Sequence, residues 1–71
     1  MAKRLNYSQV ERVLKKFGFI LISQKGSHRK WKNYQTNRQV IVPIHKGKDL
    51  PIGTLKSIII GAGLKNSDFG L

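Results

Sequence analysis

The 71-residue chain reads as an α+β domain of order α-β-β-β-α, with a three-stranded antiparallel sheet and both helices on one of its faces. Three observations predict this. Apolar residues recur at helical spacing in two stretches, around Val10 to Phe17 and Ile52 to Ala62, and three short strand-like runs lie between them: Phe19 to Lys25, rich in β-branched and aromatic residues, His28 to Tyr34, which alternates basic and other residues, and Arg38 to Ile44. The joints between those runs are too short for a parallel crossover, which needs about a dozen residues or more, so the strands form a meander.

The first helix is expected to start at Ser8, because Ser8-Gln9-Val10-Glu11 has the spacing of a capping box. Val10, Val13, Leu14 and Phe17 then share one stripe, Lys15 and Lys16 suit the negative end of the helix dipole, and Gly18 supplies a left-handed stop. Phe19 to Lys25 is the first strand, Gly26-Ser27 a turn, His28 to Tyr34 the second strand, Gln35-Thr36-Asn37 a second hairpin loop, and Arg38 to Ile44 the third strand. Pro51 is tolerated at an early helical position, and Ile52, Leu55, Ile58, Ile59 and Ala62 form the apolar side of the second helix, which Gly61 and Gly63 end or fray. Asn66 to Phe69 forms one further turn. No repeat or linker divides the chain, so residues 1–71 are expected to form one domain.

The charge balance is the strongest hint of a partner. Fourteen Lys and Arg stand against three Asp and Glu, a formal net charge of +11. On a chain this small the resulting self-repulsion points to a polyanion or an acidic protein. No apolar stretch reaches the ~18–20 residues of a membrane span, and the chain is expected in the cytoplasm. Its 0 cysteines exclude disulfides, thiolate metal sites and cysteine nucleophiles. Glu11, Asp49 and Asp68 are too few and too scattered for a two-metal nuclease or a two-carboxylate glycosidase, and no phosphate-cradling glycine loop opens a helix. Neither a metal nor another cofactor is expected.

Metal-independent proton transfer remains. Imidazole ordinarily titrates near ~6.5 and can both take and give a proton at neutral pH. Cleavage of RNA by its own 2′-hydroxyl needs a base, an acid and cations for the developing charge. His28 follows the Gly26-Ser27 turn and is itself followed by Arg29, Lys30 and Lys32. If Trp31 points into the core, His28, Lys30, Lys32 and Tyr34 share the open face of the second strand; inward Val40, Val42 and Ile44 would turn Ile41, Pro43 and His45 to the same side. Lys46, Gly47 and Lys48, ahead of the second helix, suggest a phosphate clamp as readily as an ordinary solvated loop. Trp31 could stack on a base, but a single Trp in so small a domain is better read as its core anchor.

Gly26-Ser27-His28, the pair Pro43 and His45, and Gly53-Thr54-Leu55 with Ile58-Ile59 running into Ala62-Gly63-Leu64 together resemble the HicA family of toxins, mRNA interferases of toxin–antitoxin systems. The resemblance implies a fold like that of a double-stranded-RNA-binding domain. It also implies a catalytic histidine at the third position of the glycine-serine-histidine turn, here His28, and a HicB-like antitoxin that masks the toxin. Ile60-Gly61 departs from the family pattern, which usually has long polar residues late in this helix.

The expected function is therefore an endoribonuclease toxin. His28 is the acid/base, and His45, Tyr34, Lys30 and Ser27 are candidates for the second group. RNA would be held by Lys25, Arg29, Lys30, Lys32, Lys46 and Lys48, and an acidic antitoxin would cover His28, Ile41 and Pro43. A non-catalytic RNA-binding module, or a basic adaptor for an acidic protein, would share the same charge and topology.

Overall fold

A two-residue connection and a four-residue one leave the middle of the chain no choice but to fold back on itself. The computed structural model describes residues 4–71; residues 1–3 of the expected domain lie outside them. The elements are α1 (Tyr7–Lys16), β1 (Ile20–Lys25), β2 (His28–Asn33), β3 (Arg38–Pro43), α2 (Ile52–Ala62) and a terminal 3-10 turn, Asn66–Phe69. The sheet order is β1-β2-β3, antiparallel throughout. At the β1–β2 joint Gly26 takes φ +59°, and at the β2–β3 joint Asn37 takes φ +63°, a conformation Asn tolerates better than most side chains.

The cap of α1 is not the expected one. Asn6 is the N-cap: its Oδ1 accepts from the Gln9 amide and the Gln9 Oε1 accepts from the Asn6 amide, both at 2.9 Å. Asn caps as well as Ser, and Gln9 completes the box at the same spacing, so the helix begins one turn's fraction earlier and Ser8 lies inside it. Glu11 is thereby released from capping and turns into the core beside Val10 and Leu14, while Phe17 stays exposed. At the far end Gly18 takes φ +92°, and the buried Asn33 binds the helix to the second hairpin. Its Nδ2 donates to the Phe17 carbonyl at 3.0 Å, and its Oδ1 accepts from the Gln35 and Thr36 amides at 2.8 and 3.1 Å.

One core cluster fills the space between the sheet and the helices. Trp31, Val40 and Val42 come from the sheet, Val10 and Leu14 from α1, and Leu55, Ile58, Ile59 and Ala62 from α2. Ile52, expected on this stripe, remains exposed at the helix start. Gly61 does not end α2 but lies within it, at a point where a Cβ would stand 3.2 Å from Val40 Cγ1. The helix therefore lies close on β3, and Gly63, at φ +70°, is the residue that stops it. After β3 the chain runs back beside the segment that precedes α1: Asn6 bridges Asp49, and the Leu50 amide donates to the Leu5 carbonyl at 2.8 Å.

Candidate functional site

Strand alternation sorts the residues of β2 onto two faces. Trp31, 1% exposed, points to the helices, as do Arg29 and Asn33; His28, Lys30 and Lys32 point the other way. In β3, Val40 and Val42 are buried while Ile41 is 51% exposed. Register then places His28 opposite Pro43, Lys30 opposite Ile41 and Lys32 opposite Gln39, so the open face is laid out in rows across the sheet.

β1 joins these rows through an irregularity that simple alternation does not anticipate. Leu21 faces Trp31 but Ser23 faces Lys30, so Ile22 is an extra residue, a β-bulge. Beyond it the parity is reset, and Ser23 and Lys25 fall beside Lys30 and His28. The result is a groove at the turn end of the open face, lined by Ser23, Lys25, His28, Lys30 and Ile41. Ser23 was absent from the expected site. Its signal was the run Ile20-Leu21-Ile22, three successive apolar residues that a period of two cannot place on one face.

The remaining candidates are elsewhere. Arg29 is on the helix side of β2, its side chain 25% exposed and its Nε 2.8 Å from Glu11 Oε2. The N–H does not aim along that line, so the attraction is chiefly Coulombic; the well-formed bond to the same oxygen comes from Trp31 Nε1, also at 2.8 Å. Arg29 thus faces away from His28. His45 lies past the end of β3 and outside the groove; Tyr34 lies in the second hairpin turn, with the Lys32 ammonium 4.8 Å from its ring centroid. Lys46 and Lys48 do not flank α2. The backbone pairing of Asn6 with Asp49 brings them to the start of α1, where they line a second groove with Asn6, Tyr7 and Ser8.

Charge on the open face is uncompensated. Among the described residues Arg29 and Glu11 make the ion pair, whereas Lys25, Lys30 and Lys32 have no carboxylate within 4.0 Å. Among the same residues no three His, Cys, Asp or Glu side chains gather, and no helix is long and apolar enough to cross a membrane. A face of this kind, with an imidazole at a turn, ammonium groups in adjacent rows and an isoleucine among them, can hold a phosphodiester, supply a proton relay and pack against an apolar anchor.

Fold and site together define a small basic α-β-β-β-α domain, folded like a double-stranded-RNA-binding domain, with His28 on the open sheet face. The chain belongs to the HicA toxins of bacterial toxin–antitoxin systems, whose family model matches residues 7–64. Comparison with curated proteins gives no match. Membership implies an antitoxin as partner.

Proposed function

We propose that this toxin is an mRNA interferase acting in the cytoplasm, and that His28 is its catalytic acid/base. The observation that carries the reading is the groove that joins His28 to Lys25, Lys30 and Ser23, where among the described residues no carboxylate pairs with either lysine. A phosphodiester seated there would have an imidazole at its ribose and ammonium groups at its non-bridging oxygens. The 2′-hydroxyl oxygen attacks phosphorus as its proton passes to a base; the P–O5′ bond breaks, and an acid returns a proton to the departing 5′ oxygen. The products are a 2′,3′-cyclic phosphate and a 5′-hydroxyl. Lys25 and Lys30 stabilise the charge that accumulates on the phosphorane.

His28 fills one of the two proton-transfer roles. Lys30 is the candidate for the other that lines the same groove, Ser27 adjoins it in the turn, and His45 and Tyr34 would need the substrate to extend toward them. Lys32 continues the basic row along β2, and Lys46 and Lys48 offer phosphate contacts to RNA that passes the α1 start. Arg29 supports β2 from below rather than contacting RNA. No step calls for a cofactor.

The same face is the surface a HicB-like antitoxin would cover. Ile41 and Pro43 sit in the rows of Lys30 and His28, and an acidic protein with an apolar anchor complements that mixture better than RNA alone does. Incubating the purified protein with end-labelled RNA in EDTA tests the function. Fragments ending in a cyclic phosphate are expected. Intact RNA that is nonetheless bound would make the protein a non-catalytic RNA-binding module.

A further inference from the structure

The outer edge of β3 is bare, and its chemistry can be read from the hydrogen-bond alternation. The Ile44 amide donates to the Ser27 carbonyl at 2.7 Å, one step beyond the paired His28 and Pro43. Antiparallel pairs alternate between hydrogen-bonded and non-bonded. Counting back, Val42, Val40 and Arg38 direct their amides and carbonyls to β2, and Pro43, Ile41 and Gln39 direct theirs outward. Pro43 obeys this assignment, for it has no N–H to offer and occupies a position whose N–H would face away from the sheet. Among the described residues the outward groups of Gln39 and Ile41 have no backbone partner.

Exposed edges are usually guarded by charged side chains, bulges or a covering element. Here the run from Gln39 to Val42 carries no charge; Pro43 stands at one end and Arg38, its side chain turned against Gly63, at the other, so the stretch between them is unguarded. α2 does not cover the edge. It borders it with Thr54, Ser57 and Gly61, small residues that together with Gln39 and Ile41 line an open groove. Beside Gly61, Ile60 is 73% exposed, and Ile41 is half exposed on the other side. The gap is thus a slot with alternating donors and acceptors along the β3 edge and Ile41 beside it.

We infer that the antitoxin docks here by adding a β-strand to Gln39–Ile41, extending the sheet to four strands; this rests on the antitoxin reading above. A second copy of the chain would bring +11 against +11 and is repelled, whereas an acidic partner is attracted. RNA has donors and acceptors of its own but not at the regular alternating spacing of a β-edge, which a peptide strand reproduces amide for carbonyl. A fourth strand lies about 10 Å from β2, two strand spacings away, so its open-face side chains stand over Ile41 within reach of the His28 groove.

Two measurements on the full chain test this, with the protein encoded by the reading frame adjoining the toxin's as probe. Amide hydrogen exchange at Gln39 and Ile41 is expected to be fast in the free chain and slowed at least about tenfold in the complex, while the Gln24 amide on the outer edge of β1 is unaffected. A chemically synthesised chain with Nα-methyl at Gln39 is expected to bind the probe about tenfold or more weakly than one methylated at Gln24, because it loses a strand bond and meets the incoming strand with a methyl group. Binding with no protection at Gln39 and Ile41 overturns strand addition and leaves the antitoxin reading intact. Failure of the unmodified chain to bind the probe overturns both. Protection by an oligoribonucleotide but not by the probe would assign the edge to RNA instead.

Discussion

Replacing Glu11 by Leu strikes the contact that holds β2 against α1. Its Oε2 accepts from Trp31 Nε1 at 2.8 Å and lies 2.8 Å from Arg29 Nε, with the carboxylate side chain 9% exposed. Leu restores most of the volume but leaves the Trp31 N–H buried without an acceptor. A hydrogen bond to a charged group contributes about 1.5–3 kcal/mol, and an ion pair whose Arg is partly solvated adds no more than about 1 kcal/mol. The expected loss is about 2–4 kcal/mol, a large part of the roughly 4–10 kcal/mol available to a domain of this size. At about 4–8 °C per kcal/mol, Tm should fall by roughly 8–32 °C. Glu11→Gln keeps an acceptor for the indole and should recover about half of the loss. The assay is urea unfolding monitored by far-UV circular dichroism, which reads all four proteins of a double-mutant cycle against Trp31→Phe that isolates the indole bond; a coupling of about 1–3 kcal/mol is expected. A Glu11→Leu protein within about 0.5 kcal/mol of wild type would refute the claim that this carboxylate anchors the strand bearing His28.

Three further outcomes follow from the same structure. Asn33→Ala loses the bonds to Phe17, Gln35 and Thr36 and should cost about 2–3 kcal/mol by urea unfolding. Gly53→Ala meets nothing within 4 Å and should raise stability by up to about 1 kcal/mol, whereas Gly63→Ala, at φ +70° and against the Arg38 side chain, should lower it by about 1–2 kcal/mol; thermal melts separate the two signs. Replacing both Lys30 and Lys32 with Ala should flatten the dependence of log K for single-stranded RNA on log salt by about 1.4, since each neutralised phosphate contributes about 0.7. An unchanged slope would move the RNA to Lys46 and Lys48.

Much of the fold was legible because its signals are local. Gly26-Ser27 and Gln35-Thr36-Asn37 specify hairpins without reference to the rest of the chain, and a single buried Trp31 sets the parity of β2 and, through register, that of β3. What was not legible depends on competition between equivalent signals or on tertiary contacts. Asn6 with Gln9 and Ser8 with Glu11 are both adequate capping boxes, and the choice turned on Glu11 having a better use beneath Trp31. Arg29 stands in a run of cations; the parity that turns Trp31 inward already sends it to the helix side, and what the sequence does not show is that Glu11 meets it there. The bulge at Ile22 and the swing of Lys46 and Lys48 to the α1 start both arise from pairings made across the chain.

Whether His28 performs proton transfer in RNA cleavage is read most directly from single-turnover cleavage by the His28→Ala protein. The substitution removes an exposed side chain at a strand start, so the melting temperature and RNA affinity should stay close to those of wild type. The cleavage rate should fall by about 10²–10⁴-fold, the usual contribution of a positioned acid or base. A folded His28→Ala protein that binds RNA and cleaves it at the wild-type rate would contradict that role for His28.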